Sequence, residues 1–415
     1  MSERARRAVS SHEAMSKVSR SWSDQELIAS ALSTFEIKSA DRERALLLFS
    51  DYLHLVLSGN KELTSNFGSE PLSNIAFLAK ACSYSDLDDV NWKQLTHPGS
   101  IIFSALLPFL FRKEIDSKNF LRAIIAGYHG SSLFAQILQP AHSRNWHASA
   151  TSGIFGATLA TANLLELSDD KNAQALRFAS AAIGGGSSAP KSQNGASRFT
   201  RIHAALMGSM STLEAAESSP APLYIVDGPG GLSERFGVVD LLPTINPVDA
   251  LHQISIRYFP YSGFSHNALE KLEKHLPLDS VSVKSIEIRL SDPLYTLIGS
   301  SQKGQWWDLS AAIVNTIVNG DPFDSSTRKI NAEIKVEKIE SGPSLAKINM
   351  ASSEISFEFG IQDRIGIDPI DIPRIHRKWS SLYNESSELT EISSQIIDGS
   401  ESAIAQLKKI ILATG

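Results

Sequence analysis

The sequence predicts a mainly α protein with an α+β part, in which a smaller α+β lid domain is inserted into a large all-helical domain. Two changes in apolar spacing support this prediction. Apolar residues recur three and four apart from Ser23 to about Leu213, as helices require, and they alternate in segments between about 280 and 360, as strands require. Helical spacing then returns over residues 404–411.

The helical domain is expected to cover residues 1–250 and to be completed by a C-terminal helix over residues 376–415. Its most apolar stretch, 101–111, is shorter than the roughly 20 residues that span a bilayer and is predicted to be a buried helix. Small residues recur on one face of segment 148–165, which lets two helix backbones approach closely. Segment 218–242 is rich in Pro and Gly and is predicted to be a loop.

The lid domain is expected to cover residues 251–375. Alternating apolar residues predict strands around 281–290, 330–336 and 355–359, and helical spacing predicts helices at 266–275 and 309–318. This mixture is typical of an α+β unit.

Composition limits the class of protein and its partners. The chain has 415 residues, of which 42% are hydrophobic, and 39 Lys and Arg against 45 Asp and Glu give a net charge of -6. These values indicate a globular protein and give no general attraction to nucleic acid or to anionic lipid, so neither nucleic acid nor a membrane is expected as a partner. Because Cys82 is the one cysteine, the chain has neither an internal disulfide nor a Cys cluster for zinc or iron–sulfur chemistry.

The N-terminal segment bears on the compartment. It contains Arg and Ser residues but no apolar core of a secretory signal, so a cytoplasmic location is expected. An organellar matrix is the alternative, although Glu3 and Glu13 interrupt the acid-poor pattern of a transit peptide.

Acidic and histidine side chains cluster at breaks in the helical pattern, where they can project into a cleft. The first break contains Asp86-Leu87-Asp88-Asp89 and then His97. Neighbouring carboxylates repel one another, so some must be solvated, paired or raised in pKa. The alternative is a polar loop that caps a helix beginning near Ser100.

Two further breaks contain a histidine and a lysine. His147 precedes the small-residue helix, where a helix N-terminus would favour an anion, although a lone histidine there is more often structural. The glycine-rich run 184–191 ends in Lys191 and is followed by Arg201. It lacks the Gly-Lys-Ser/Thr of a phosphate loop, so nucleotide binding is rejected, and the lysine can instead reach a substrate carboxylate. No zinc-protease, Ser-hydrolase or dinucleotide motif occurs, so we predict no metal site and no cofactor.

Taken in order, these segments resemble the MmgE/PrpD family, which includes 2-methylcitrate dehydratase, cis-aconitate decarboxylase and iminodisuccinate epimerase. The resemblance is carried by the acidic run before Thr96-His97-Pro98-Gly99, by Ile125-Ala126-Gly127-Tyr128 and above all by Trp146-His147-Ala148-Ser149-Ala150-Thr151-Ser152-Gly153. This last stretch is similar to the family's "GxHPTATAGTFGAA" signature. Lys191 with Arg201 ten residues on is similar to the dehydratase branch, and a weaker similarity covers Arg257-Tyr258-Phe259-Pro260 and His266.

The resemblance implies a set of site residues and a homodimer that uses no cofactor. The implied catalytic residues are His97, His147, His266 and Asp86, and Lys191 and Arg201 are the implied substrate-binding residues for a small di- or tricarboxylate. One departure is that Ala311 occupies the position where the family usually has a tyrosine, so a hydroxyl donor is missing.

We therefore expect a cofactor-independent lyase, most simply a dehydratase of a citrate-like (2-methylcitrate-type) hydroxy tricarboxylic acid. Elimination of water needs one group that removes a carbon-bound proton and another that protonates the leaving hydroxyl, tasks suited to histidines. A cis-aconitate-type decarboxylase and a carboxylic-acid epimerase or isomerase are alternatives. A catalytically degenerate binding or interaction protein is an alternative of another class, which Ala311 favours.

Overall fold

The computed structural model describes residues 23–61, 63, 68, 70–112, 116–138, 145–192, 195–237, 245–299, 307–360 and 371–414. The basic segment considered as a transit peptide lies outside these residues, as do residues 141–144 before His147 and the last residues of the predicted loop 218–242.

Helices dominate the described part of the chain, and a small sheet interrupts them, so the predicted fold class is confirmed. The helices are α1 Asp24–Ala31, α2 Ser39–Asn60, α3 Pro71–Cys82, α4 Gly99–Leu110, α5 Phe120–Leu138, α6 Ala148–Leu164, α7 Asp169–Ala182, α8 Ser188–Lys191, α9 Ser197–Ala216, α10 Leu232–Phe236, α11 Pro247–His252, α12 His266–Glu273, α13 Leu294–Ile298, α14 Leu309–Asn319, α15 Ile372–Leu382, α16 Ser386–Ile397 and α17 Glu401–Thr414. The strands are β1 Val283–Leu290, β2 Glu333–Lys338, β3 Ser344–Met350 and β4 Glu354–Phe359.

Helix α6 forms the centre of the helical part because glycines let its neighbours approach closely. A Cβ atom at Gly156 of α6 would lie 2.9 Å from the carbonyl oxygen of Gly127 on α5. On the other side, a Cβ atom at Gly208 of α9 would lie 2.6 Å from the carbonyl oxygen of Ile154. The predicted close approach of helix backbones is present, but it occurs on two sides of α6 and not on one face, since Gly156 faces α5 and Ala157 faces α9.

Helix α4 is the predicted buried helix of the most apolar stretch. All of its residues from Gly99 to Leu110 are buried, so its position is fixed by packing on every side. The helix begins just after His97, which places that histidine at a rigid helix start.

The C-terminal segment returns to the helical part as three helices, where the sequence predicted one. The positive φ of Gly399, +83°, lies between α16 and α17, and such a residue ends a helix readily. All three helices pack against α2. The buried ammonium of Lys378 on α15 lies 2.8 Å from Oδ2 of Asp51 on α2 and donates to the carbonyl oxygen of Leu87 at 3.0 Å.

The sheet has the strand order β2-β1-β3-β4, with β1 parallel to β2 and the other two pairs antiparallel. Strand β3 is missing from the sequence prediction, and β2 begins at Glu333, later than predicted. The predicted helices near 266–275 and 309–318 are present as α12 and α14.

The chain that leads from α11 toward the sheet passes directly beside the acidic run. Ser255 and Val90 exchange two main-chain hydrogen bonds of 2.9 and 2.8 Å. This pairing brings Arg257 against Asp88. No helix within the described residues is both long and apolar enough to cross a membrane.

Candidate active site

Asp88 is the centre of the acidic run and binds two arginines from distant parts of the chain. Its Oδ2 accepts from Nη1 of Arg201 at 2.8 Å, and its carbonyl oxygen accepts from Nε of Arg257 at 2.7 Å. Arg257 also donates through Nη2 to Oδ1. Burial opposes ionisation of this carboxyl group, but the positive charges of Arg201 and Arg257 outweigh it and hold the pKa of Asp88 far below its usual range. Asp88 is therefore an ionised anchor.

Arg201 is engaged by this acidic run. Its side chain is only 3% exposed, and Nη1 also lies 3.6 Å from Oδ1 of Asp86. Burial raises the pKa of Asp86 although Arg201 works against the rise. These contacts indicate that Arg201 stabilises the acidic run. Its predicted role in substrate binding stays a prediction.

The chain reaches His97 through a tight hairpin between Asn91 and Thr96, whose main chains exchange hydrogen bonds. The hairpin contains Leu95 at a φ of +53°, a conformation that is rare for leucine. Such backbone strain persists only where the surroundings impose it, and it is common near functional sites.

His97 has a defined tautomer. Its Nδ1 lies 2.8 Å from the carbonyl oxygen of Asp89, which can only accept, so the proton is on Nδ1. Burial and the nearby Arg201 lower the pKa of His97 well below its usual value, so the ring is neutral at pH 7. The lone pair is then on Nε2, as a general base requires.

Asp89 is buried and differs from Asp88 in its partners. The hydroxyl of Tyr128 donates to its Oδ2 at 2.7 Å, and the N–H of Gly99 donates to its Oδ1 at 2.9 Å. Burial raises the pKa of Asp89 to about 7, and the Tyr128 hydroxyl offsets this only in part. A fraction of this carboxyl group is therefore protonated at neutral pH.

His147 lies at the N-cap of α6 and is 7% exposed. Its N–H donates to the carbonyl oxygen of Gly185 at 2.8 Å, and its Nδ1 lies 2.6 Å from Oγ1 of Thr200. Because the Thr200 hydroxyl donates its own proton to the carbonyl oxygen of Ser197 at 2.8 Å, it accepts from His147. In the neutral ring the lone pair is then on Nε2, as in His97.

The glycine-rich loop packs along the residues that precede α6. Trp146 pairs with Gly186 in an antiparallel bridge, and Ser187 N–H donates to the carbonyl oxygen of Asn145 at 2.9 Å. Gly185 has a φ of +98°, and a Cβ atom there would lie 2.5 Å from Cβ of Ala150. The glycines thus let the loop approach His147, and Lys191 follows at an exposed position at the end of α8.

One hydrogen bond and one pair of neighbouring residues on α9 link these groups into one cluster. The N–H of His97 donates to Oγ of Ser149 at 3.0 Å, which ties His97 to the start of α6. Thr200, the partner of His147, directly precedes Arg201, which binds the acidic run. The structure therefore brings together the acidic run, both histidines, Arg201 and the loop that ends in Lys191.

His266 has partners within its own segment. It is fully buried, and its Nε2–H donates to the carbonyl oxygens of Phe259 and Tyr261 at 2.9 and 3.2 Å. These bonds indicate that His266 stabilises the conformation of the segment before α12. Its predicted catalytic role stays a prediction. Ala311 lies half-buried in the first turn of α14.

Sequence analysis missed the partners that orient the histidines. Tyr128 and Ser149 lie in the stretches that carried the family resemblance, so their positions could have been noted, but no spacing indicates Thr200. Arg257 lies in the weaker region of similarity, 169 residues from Asp88. Within the described ranges, no group of three or more His, Cys, Asp or Glu side chains is placed to hold a metal ion.

Comparison with known proteins identifies the region that contains this cluster. The family model of the MmgE/PrpD N-terminal domain matches residues 63–238. That range includes Asp86, His97, His147, Lys191 and Arg201, whereas Arg257 and His266 lie beyond it. A search of curated proteins found no match. Residues 63–238 therefore match an MmgE/PrpD N-terminal domain, and this match supports membership of the chain in the MmgE/PrpD family.

Proposed function

We propose that this chain, whose family fits a lyase-type function, is a dehydratase that removes water from a citrate-like hydroxy tricarboxylic acid. The observation that carries the proposal is the matched arrangement of two histidines. Nδ1 of His97 and Nδ1 of His147 each donate to a protein oxygen, at 2.8 and 2.6 Å, so both rings are held with Nε2 as the reactive nitrogen.

The reaction needs a base and an acid. In the proposed step Nε2 of His97 takes a proton from the carbon next to a carboxylate, and the electron pair of that C–H bond forms a C=C bond. The hydroxyl on the neighbouring carbon leaves with the Nε2 proton of His147, which enters this step as the imidazolium and leaves it as the neutral Nδ1–H ring, so that one water is released. Because burial and Arg201 lower the pKa of His97, its ring is unprotonated at pH 7 and the lone pair on Nε2 is available to accept the proton.

Lys191 is the proposed substrate anchor. Its side chain is exposed. The loop that precedes it is hydrogen-bonded to His147 and Asn145, and these bonds position the main chain from which the Lys191 side chain extends. A lysine there can bind a substrate carboxylate as a point charge. Arg201 is less suited to this task because Asp88 and Asp86 already surround its guanidinium group.

The test is to incubate the full-length protein separately with 2-methylcitrate, citrate, cis-aconitate and iminodisuccinate, and to follow each by NMR. The proposal expects an unsaturated product from a hydroxy acid, and none with His97→Gln. Carbon dioxide release from cis-aconitate or inversion of iminodisuccinate, without dehydration, would replace the dehydratase by the corresponding alternative. Binding without turnover of any of these acids would support the degenerate protein.

The homodimer and the independence from metal and cofactor are also proposals. Sedimentation of the purified chain tests the first. Exhaustive chelation tests the second, and a loss of dehydration that a divalent ion restores would contradict it.

A further inference from the structure

Asp89 contacts both His97 and the chain immediately beyond it. Its carbonyl oxygen accepts the Nδ1–H of His97 at 2.8 Å, and Oδ1 of its side chain accepts the N–H of Gly99 at 2.9 Å. Gly99 is the first residue of α4. One residue thus fixes the imidazole through its main chain and the helix start through its side chain.

Tyr128 of α5 holds the Asp89 side chain from the other direction. Its hydroxyl donates to Oδ2 of Asp89 at 2.7 Å, and both side chains are buried. A Cβ atom at Gly99 would lie 2.6 Å from Oδ2 and 2.8 Å from the Tyr128 hydroxyl oxygen. The hydrogen bond between Asp89 and Tyr128 therefore requires a residue without a side chain at position 99.

The charge around Asp89 suits a group that orients a neutral histidine. The neighbouring Asp88 is ionised and bound by two arginines, whereas Asp89 has a hydroxyl and an N–H as partners. Burial raises the pKa of Asp89 to about 7, so part of the population has no charge there at neutral pH. A neutral carboxyl group does not draw a second proton onto the imidazole as a carboxylate would.

We propose that Asp89 is the positioning residue of His97, and that Tyr128 and Gly99 hold Asp89 in that position. Its task is to keep the imidazole proton on Nδ1, which leaves the lone pair on Nε2. The consequence for catalysis rests on the proposed function, but the location of the proton does not.

The direct measurement is the tautomer of His97, obtained by long-range ¹H–¹⁵N NMR of the full-length chain labelled with ¹⁵N-histidine. His97→Gln assigns the resonance. The parent is expected to have almost only the Nδ1–H form. In Tyr128→Phe and Gly99→Ala, the ratio of Nδ1–H to Nε2–H is expected to fall at least about threefold, because the carbonyl that selects the tautomer is no longer held.

Tyr52→Phe is the matched control, since it removes another buried hydroxyl whose partner is Ser104, at 3.1 Å. It is expected to leave the tautomer ratio unchanged even if it lowers the melting temperature. If Gly99→Ala does not fold, Tyr128→Phe decides alone. A parent with its proton on Nε2, or a folded Tyr128→Phe with an unchanged ratio, would overturn the proposal.

Activity measurements separate this inference from the proposed function. If the parent shows no lyase activity but the tautomer responds as expected, the function is wrong and the positioning role stands. If the parent is active and Tyr128→Phe lowers kcat without altering the tautomer, the positioning role is wrong and the function stands.

Discussion

Nδ1 of His147 and Oγ1 of Thr200 lie 2.6 Å apart, and the direction of this hydrogen bond is fixed by a third group. The Thr200 hydroxyl proton is donated to the carbonyl oxygen of Ser197, so the oxygen can only accept from the imidazole. Helix α9 thereby orients a histidine at the start of α6. Since the two residues are 53 positions apart, the relationship exists only in the folded chain.

Thr200→Val is expected to lower kcat by about tenfold, equivalent to about 1.4 kcal/mol of transition-state stabilisation. The physical reason is that valine has a similar shape but cannot accept the Nδ1–H, so the ring loses its preferred tautomer. Steady-state kinetics on the substrate identified by NMR measure this. Thr200→Ser keeps the hydroxyl and should restore most of the rate, and a Thr200→Val enzyme with the parental kcat would contradict the orienting role.

His97→Gln and His147→Gln are each expected to lose at least about a hundredfold in kcat, the usual range for removal of a general acid or base. Their free energies of unfolding should stay within about 1 kcal/mol of the parent, because glutamine is a polar side chain of similar size that can occupy the same space. Kinetics and urea denaturation of the same samples test both parts. If either variant is fully active, or fails only because it unfolds, that histidine is structural.

Lys191 and Arg201 are expected to respond differently to loss of charge. Lys191→Ala should lower kcat/KM by roughly ten- to hundredfold, as expected for a lost charge-assisted contact, and leave the free energy of unfolding unchanged. Arg201→Met should instead destabilise the fold by about 3–5 kcal/mol, since it removes a partner of the buried Asp88. Parallel kinetics and denaturation distinguish the two. Unchanged kinetics of a folded Lys191→Ala would return Lys191 to the solvated-loop interpretation.

The buried histidine His54 is expected to make the stability of the fold depend on pH. The side chain of His54 is fully buried and stacks on Trp379, with the two ring centroids 4.8 Å apart. Burial lowers the pKa of His54 to about 4. The unfolded chain binds this proton below about pH 6.5, whereas the folded chain does not until about pH 4. The stability that this neutral ring contributes is therefore fully present above pH 6.5 and is lost as the pH falls toward 4, by on the order of 3 kcal/mol.

Urea denaturation at a series of pH values, on the parent and on His54→Phe, measures this contribution. The variant keeps an aromatic ring against Trp379 but cannot titrate, so its free energy of unfolding should decline less between pH 6.5 and 4. Parallel curves for the two proteins would show that His54 does not have a lowered pKa.

Gly208→Ala is expected to destabilise the protein by about 1–3 kcal/mol, although alanine is the better helix former. The added Cβ atom would lie 2.5 Å from Cβ of Ala157 and 2.6 Å from the carbonyl oxygen of Ile154, so α9 must move away from α6. Gly68→Ala is the control, because a Cβ atom there has no neighbour within 4 Å among the described residues and the change should stay within about 0.5 kcal/mol. Equal stability of the two variants would show that the helices can separate at no cost.

The helices were predictable where one face of a segment is apolar at helical spacing, as in α5, or where the whole segment is apolar, as in α4. Strand β3 was not predictable from the sequence. Apolar residues alternate poorly in Ser344–Met350 because short and charged residues interrupt them, and the segment directly follows a Gly-Pro turn. The division of the C-terminal segment into three helices was missed for a related reason. The apolar period continues across the break before α17, and the turn there depends on the single residue Gly399.

For the candidate site, the sequence indicated residues whose types and local spacing suggest chemistry, such as Asp86, His97 and His147. It did not indicate their partners. Asp88 meets Arg201 and Arg257 across 113 and 169 residues, and only the packing of α9 and the bridge at Ser255 bring them together. A local motif identifies a reactive group, but the contacts that set its charge and tautomer come from the tertiary structure.

The contact between Lys378 and the carbonyl oxygen of Leu87 has a consequence for the order of assembly during translation. The acidic run and both histidines leave the ribosome early, whereas Arg257 and then Lys378 follow much later. Until residue 378 has emerged, the carbonyl oxygen of Leu87 in the acidic run lacks the ammonium group that donates to it in the folded protein. A nascent or truncated chain that ends before α15 is therefore expected to be inactive, although it already contains every predicted catalytic residue.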